Sequence, residues 1–396
     1  LTDPTAGRHH PFYMQRCLAL ANQGRGYTAP NPLVGCVIVY QDQVIGEGFH
    51  PKAGEPHAEV FALKSIKDDH RSLLNQSTLY VNLEPCNHYG RTPPCTEAIL
   101  KSGIKKVVVG MIDPDPRVSG QGIQRLETAG IQVIVGIEEV ACQVLNEAFI
   151  HRVRYQRPFG IFKYAMTLDG KIASSQGHST WISGTPARAM VHQLRAESDA
   201  VIVGGNTVRR DNPHLTSHRS QGPNPLRVVM SRSLDLPRHS HLWTSSPAPT
   251  LVVTSSSLEH PLVPFLQNQG VDVVRLAPLT PTTVMEHLYQ RGMMTVLWEC
   301  GGTLGAAAIA EGMVQKIWAF IAPKLIGGQE APSPVADMGL TKMTDALALE
   351  RVQWQQVGDD ILMQGYLPME TILSDTPASN LRNNQPTDPL GTLHFA

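Results

Sequence analysis

No stretch of the chain approaches the roughly 20 consecutive apolar residues that a membrane-spanning helix needs, so no membrane partner is expected. An excess of one charge is missing too: 33 Lys and Arg face 34 Asp and Glu. That balance argues against a nucleic-acid binder held by a broad basic surface. Six cysteines in 396 residues are too few for a disulfide scaffold. Cys17, Cys36, Cys142 and Cys300 sit among apolar or small residues and read as structural thiols. No basic segment followed by an apolar core opens the chain, so no signal peptide is read there, and a reducing, cytoplasmic setting is expected. Leu1 reads as a trimmed or unusually initiated start. The phosphate-loop pattern GxxxxGKS/T and the dinucleotide fingerprint GxGxxG are both absent. Charged residues are scarce, at 17 %, which leaves 42 % hydrophobic residues for sizeable cores.

That length suits two domains. Over residues 9–148 helical and strand patterns alternate. Helices are expected at Phe12–Asn22, Glu59–Ile66, Glu97–Ser102 and Gly120–Ala129. Gly35–Tyr40 and Val44–Glu47 should pair about a Gln41-Asp42-Gln43 turn. Further strands are expected at Thr78–Leu83, Lys106–Met111 and Gln132–Val135, which makes a three-layer α/β domain. Residues 149–158, polar, basic and closed by Pro158, read as a linker. A second α/β domain is expected over 159–370. Its strands are read at Phe159–Tyr164, Ala200–Gly204, Leu226–Met230, Thr250–Thr254, Asp272–Arg275, Thr295–Glu299 and Lys316–Ile321. Its helices are read at Ala187–Ala196, Thr282–Arg291 and Thr303–Glu311. Residues 371–396, rich in Asn, Pro, Asp, Thr and Ser, read as a disordered tail.

The chemistry begins with His57-Ala58-Glu59 at a helix start, Pro85-Cys86 after a strand, and Cys95 nine residues later. One imidazole and two thiolates make a tetrahedral zinc set with one position open. Water can bind there and lose a proton, and a carboxylate that is not a ligand can move protons. In mid-helix, positions i and i+2 diverge; in the first turn, His57 and Glu59 can both face a metal off the helix end. The order matches the deaminase signature H-x-E…P-C-x-x-C, except that eight residues separate the cysteines here. In the second half, Glu299-Cys300-Gly301-Gly302-Thr303-Leu304 joins a strand to a helix. Glycines there let a backbone approach an anion, and the helix N-terminus favours negative charge.

Pro85-Cys86-Asn87-His88-Tyr89-Gly90-Arg91-Thr92-Pro93-Pro94-Cys95 resembles the deaminase half of the bifunctional RibD family of riboflavin biosynthesis. Pro30-Asn31-Pro32-Leu33-Val34-Gly35, His50-Pro51-Lys52-Ala53-Gly54 and Asp113-Pro114-Asp115-Pro116 carry the same likeness. The resemblance implies a cytidine-deaminase-like fold with Zn2+ on His57, Cys86 and Cys95. It implies hydrolytic loss of the 2-amino group of a pyrimidinone bearing ribosylamino 5′-phosphate, with Glu59 moving the protons. Asn31, His50, His88 and Arg91 would hold that substrate, and Asp113 and Asp115 could accept ribose hydroxyls.

In the second half the resembling strings are Lys163 to Ala173, Ser179 to Ser183, Arg195 to Ala200, Gly204 to Val208, Asp211 to Thr216 and Glu299 to Leu304. They are similar to the reductase half of the family, with a dihydrofolate-reductase-like fold and NADPH. That implies cofactor contacts at Ala165, Trp181, Thr207, Asp211, Gly301, Gly302, Thr303, Leu304 and Gly305. It implies substrate contacts at Lys163, Ser179, Arg195, Leu215 and Glu299. Lys163 would serve the developing sugar oxygen, Arg195 the phosphate, and Glu299 the ribose hydroxyls or amine. Where the family usually has an arginine this chain has His218, so a one-residue slip to Arg219 is expected to supply the contact. The family likeness also implies a homo-oligomer. Two other readings compete: a chain with only the deaminase half active, and a nucleic-acid deaminase fused to a binding module.

Overall fold

The structure, a computed structural model, describes residues 9–89, 93–116, 118–218, 220 and 222–368. Arg91, Arg219 and the tail expected over 371–396 lie outside them. Two α/β units follow one another. The first is built from α1 (His10–Asn22), β1 (Gly35–Tyr40), β2 (Gln43–Phe49), α2 (Ala58–Lys64), β3 (Thr78–Leu83), α3 (Cys95–Ser102), β4 (Lys106–Met111), α4 (Gln121–Thr128), β5 (Gln132–Val135) and α5 (Glu139–Leu145). Its sheet runs β2-β1-β3-β4-β5. β1 is antiparallel to β2 and β3, and β3, β4 and β5 are parallel.

Strand alternation sorts the side chains onto two faces. Ile38, Leu79, Val81, Val107 and Val109 pack with Ala58, Ala62, Ile99 and Leu126 of α2, α3 and α4. Val37, Val39, Tyr80 and Val108 pack with Tyr13, Met14 and Cys17 of α1 and Cys142 of α5. Strands covered on both faces read as continuous apolar runs, which is why β3, β4 and β5 are visible in the sequence. The β1–β2 turn is tighter than expected. Gln41 and Asp42 alone make it, with φ of 45° and 63°, and Gln43 already pairs with Tyr40. That is the two-residue hairpin geometry that matches strand twist.

Residues 149–158 are mostly not an open linker, because Glu147–Tyr155 forms helix α6. Its polar side chains are spent on the second unit. Arg152 donates to the carbonyls of Met293 (2.7 Å) and Tyr289 (3.1 Å) and lies 4.0 Å from the Tyr289 ring centroid. Glu147 accepts from Lys316 Nζ at 2.9 Å and from the Tyr366 hydroxyl. A helix whose polar groups find partners across an interface looks, in sequence alone, like a solvated connection.

The second unit comprises β6 (Phe159–Thr167), α7 (Thr185–Ala196), β7 (Ala200–Gly204), α8 (Gly205–Asp211), β8 (Leu226–Met230), β9 (Thr250–Thr254), α9 (Leu262–Asn268), β10 (Asp272–Arg275), α10 (Pro281–Gln290), β11 (Thr295–Trp298), α11 (Gly302–Ala310), β12 (Lys316–Ala322), β13 (Glu350–Val357) and β14 (Asp360–Tyr366). The sheet order is β10-β9-β8-β7-β11-β6-β12-β14-β13. It is parallel from β10 to β12, and β14 and β13 close it antiparallel. One face packs under α10 and α11, the other under α7, α8 and α9. The β13–β14 hairpin was not expected. β13 (ERVQWQQV) puts only Val352 and Trp354 on an apolar face, too short an alternation to read as a strand, and all its residues but Val357 are exposed. Among the described residues no helix is long and apolar enough to cross a membrane.

Candidate active sites

The first site forms where three loops meet beside α2 and α3. His57 is the extended N-cap of α2, with φ −77° and ψ 164°, so its ring and the Glu59 carboxylate can face the same point. Pro93 and Pro94 pre-set the backbone for α3, which begins at Cys95, two residues earlier than expected. The Cys95 N–H donates to Cys86 Sγ at 3.3 Å. His57 Nδ1 lies 3.2 Å from Cys95 Sγ and 3.5 Å from Cys86 Sγ. The three donor atoms lie within 4.8 Å of one another. Bonds of about 2.3 Å to sulfur and about 2.05 Å to nitrogen place such atoms roughly 3.5 Å apart on a tetrahedral zinc. The donor set therefore fits that ion with little movement.

Electrostatics agree. Hydrogen bonding from Cys95 brings the Cys86 thiol down to about 4, whereas the same shared proton and burial hold Cys95 up. Burial, then the Cys86 charge, raises the Glu59 carboxyl above its usual range. Glu59 Oε2 is buried and finds no partner among the described residues. A buried orphan oxygen beside three metal donors is placed to take a proton.

Of the residues expected to hold the deaminase substrate, Asn31 and His50 are brought together. Asn31 Nδ2 donates to His50 Nε2 at 3.1 Å, and His50 Nδ1 donates to the Pro56 carbonyl at 3.0 Å. The His50 ring packs edge-on to His57. His88 is exposed. Asp113 is pushed up to about 6 by burial and accepts from the Asp115 N–H.

The second site lies past the carboxyl ends of β7 and β11, where open parallel sheets hold ligands, and against the middle of the longer β6. Arg195 of α7 grips Glu299 with two donors, Nε at 2.6 Å and Nη2 at 2.9 Å. Lys163 of β6 lies 3.8 Å from the same carboxylate. All three side chains are largely buried, at 12, 9 and 16 % exposure for Arg195, Glu299 and Lys163. Burial alone would raise Glu299, but the Arg195 charge and its hydrogen bonds hold it at about 2. Burial lowers Lys163. Ser179 donates to Asp211 at 3.5 Å, and burial raises that carboxyl.

Residues 8–111 match the cytidine and deoxycytidylate deaminase zinc-binding region, and residues 158–363 match the RibD C-terminal domain. The riboflavin biosynthesis protein RibD of Synechocystis is 58 % identical over 355 residues, 90 % of this chain and 95 % of its own length. The chain belongs to the RibD family. It is a riboflavin-biosynthesis deaminase and reductase with both domains present, and His57, Cys86 and Cys95 are its zinc-binding site. Its fold is a cytidine-deaminase-like unit followed by a dihydrofolate-reductase-like one, and the reductase domain implies NADPH. RibD of Acinetobacter baumannii superposes with a TM-score of 0.80 at 37 % identity, covering 91 % of this chain and 99 % of that one. A Thermotoga maritima diaminohydroxyphosphoribosylaminopyrimidine deaminase/5-amino-6-(5-phosphoribosylamino)uracil reductase does so with the same score at 35 % identity and the same coverage.

The cofactor side of the second unit fits an anionic ligand. Gly301 caps α11, and a Cβ there would meet nothing within 4 Å. The space before that helix start is open at Gly301, where a phosphate could approach, whereas Gly302 packs against the main chain of Ser333 and Ala336. Gly305 also lets the helix sit on the sheet, because a Cβ there would come within 2.6 Å of the Phe162 ring. Leu304 packs against the cluster under α10 and α11, and the Leu215 side chain is buried in the cluster on the other face of the sheet. Substrate could meet Leu215 only through its main chain. His218 has φ 47°, its ring lies 4.3 Å from that of His192, and burial, then the Arg195 charge, lowers both imidazoles.

Sequence reading missed Glu84. Its buried carboxylate accepts from the N–H groups of Asp113 (3.1 Å), Gly120 (2.9 Å), Gly122 (2.9 Å) and Ile123 (3.3 Å). It ties the Pro85-Cys86 segment to the Asp113 loop and the start of α4. A glutamate next to a proline carries no sequence mark of such a role. His192 was missed as well, because a histidine in mid-helix is ordinarily packing.

Proposed function

We propose that the chain hydrolyses the 2-amino group from 2,5-diamino-6-ribosylamino-4(3H)-pyrimidinone 5′-phosphate. It then reduces the ribosyl group with NADPH, giving 5-amino-6-(5-phosphoribitylamino)uracil. The observation that carries this reading is the buried Glu59 carboxylate facing the His57, Cys86 and Cys95 donors, on a chain whose second half holds its own buried Lys163, Arg195 and Glu299 cluster. The deaminase half spans 9–148 and the reductase half 159–370, with 149–158 between them.

Bound zinc would lower the pKa of a water in its open position. Glu59 moves two protons in turn on Oε2: the first passes from the water to the ring nitrogen, and the second from the hydroxyl added to the ring carbon to the amine, which leaves as ammonia while the carbonyl forms. Asn31 offers an amide edge to the pyrimidine, His50 fixes that amide, and His88 and Arg91 serve the ring and phosphate. In the second half bound NADPH would supply a hydride for C1′, with the C1′–O4′ bond opening to receive it. Lys163, its ammonium weakened by burial, gives the proton to O4′. Glu299 holds ribose hydroxyls, and Arg195 reaches the phosphate. Ala165, Trp181, Thr207, Asp211, Gly301, Gly302, Thr303 and Leu304 line the cofactor side. Ser179, the Leu215 main chain and Arg219 complete the substrate side.

Zinc-loaded protein given the pyrimidinone and NADPH should release one ammonia for each NADPH oxidised. Ammonia without NADPH loss would leave only the deaminase half standing and point to the His218 region. Activity on cytidine-containing oligonucleotides instead would restore the nucleic-acid reading.

The enzyme is further proposed to be a homo-oligomer in a reducing, cytoplasmic setting, where the two zinc thiols stay available. Supporting the first point, β13 is an edge strand with Trp354 65 % exposed. Unpaired edges of this kind are normally covered. Light scattering should give a dimer or higher multiple, and Trp354→Lys should shift it toward the monomer. A monomeric wild-type chain at micromolar concentration would sink this part.

A further inference from the structure

The segment carrying Asn31 is poor in handles. Pro30 and Pro32 flank it and have no N–H to give. The Asn31 N–H closes a local turn on the Thr28 carbonyl at 2.7 Å, and the main chain just beyond it is fixed at Leu33, which is 5 % exposed, by two asparagines remote in sequence. Asn146 Oδ1 accepts from the Leu33 N–H at 2.8 Å, and Asn146 Nδ2 donates to the Leu33 carbonyl at 3.0 Å. Asn82 Nδ2 donates to the same carbonyl at 2.9 Å, and its Oδ1 accepts from the Gly35 N–H at 2.8 Å. Both asparagines are buried, at 2 % and 0 % exposure. Buried main-chain groups must be paired, so no solvent can replace these bonds.

From Leu33 the connections lead directly into the site. Asn31 reaches His50, His50 reaches the Pro56 carbonyl, and Pro56 precedes His57. In the other direction Asn146 stands at the junction of α5 and α6. The next residue is Glu147, held by Lys316 of β12 and Tyr366 of β14 in the reductase half.

We propose that Asn146 is a positioning residue for the deaminase substrate pocket. It sets Asn31 through the Leu33 main chain while being held in place by the reductase sheet. This rests on the reading that Asn31 meets the substrate. Asn146 itself touches no reacting atom.

Asn146→Asp keeps the shape but turns an acceptor toward the Leu33 carbonyl. In the full-length zinc-loaded chain, the KM for the pyrimidinone should rise roughly tenfold with kcat changed far less, as expected when a bound-state contact is lost. Zinc content and NADPH oxidation on the deaminated intermediate should stay as in the wild type. Hydrogen exchange should quicken in a peptide covering residues 29–35 and not in β4. An unchanged KM with unchanged exchange would overturn the proposal. So would a parallel fall of both activities with thermal stability, which would mark a merely structural residue. Should the aspartate variant not accumulate as folded protein, Asn146→Ala carries the same test. A wild-type chain inactive on the pyrimidinone would sink the functional reading instead, and the positioning claim would then be decided by the exchange result.

Discussion

Glu59→Gln should cut deamination by roughly 10²–10⁴-fold, the range set by loss of a positioned proton shuttle, while zinc remains bound. Glutamine matches the side chain in size but cannot take a proton from water and return it to the leaving amine. The retention of zinc follows from the donor set, which is His57, Cys86 and Cys95 without Glu59. Stability should hold or rise. The carboxyl is 3 % exposed and raised above all by burial, so removing its charge relieves more desolvation than it gives up in contacts with His57 and Cys95. Ammonia release, zinc content and the unfolding midpoint check the three parts. Zinc lost along with activity would mean that Glu59 supports the metal, and the role assigned to it would fall.

Arg195→Ala is expected to abolish NADPH oxidation and leave ammonia release intact. It should also destabilise the second unit by about 3–5 kcal/mol, the cost of stranding one member of a buried ion pair. The sign follows from Glu299. With Arg195 present its carboxyl is held at about 2, below the ordinary value of 4.5. The pair's contribution is therefore full above about pH 4.5 and lost as pH falls toward 2. Without Arg195, the buried Glu299 charge keeps Lys163, at 3.8 Å, as its remaining ion-pair partner and loses its two hydrogen bonds from the guanidinium. Adding Glu299→Gln should restore stability but not reduction, which separates the structural cost from the chemical one. An equal loss of both activities in the single variant would mean that the halves do not function independently.

The sequence marked what is repetitive or chemically dense. Parallel strands such as Lys106–Met111 and Leu226–Met230 are buried on both faces, so their apolar runs fall within the observed bounds. His57, Cys86 and Cys95 were legible because metal chemistry restricts residue type, and the comparisons and geometry agree on them. Helix starts were misplaced by a residue or two, as at Cys95, where proline sets the backbone before any periodicity shows. What stayed hidden depends on partners far along the chain. Glu84 looks unremarkable until four amide groups converge on it. Arg227 is wholly buried, with only carbonyls to receive its guanidinium, among them those of Leu242, Thr244 and Ala248. Nothing in Leu226–Met230 distinguishes it from an ordinary exposed arginine on a strand.

The helix between the halves bears on how this chain could be engineered. A fusion of two catalysts invites separation, and residues 149–158 look in sequence like the place to cut. Cleaving within Glu147–Tyr155 would strip Lys316 and Tyr366 of Glu147 and expose the carbonyls that Arg152 now covers. The only non-helical stretch there is 156–158. A split there leaves α6 on the deaminase fragment with a ready-made socket on the reductase fragment. The two pieces would then reassemble as a complementing pair, and the helix would act as the plug.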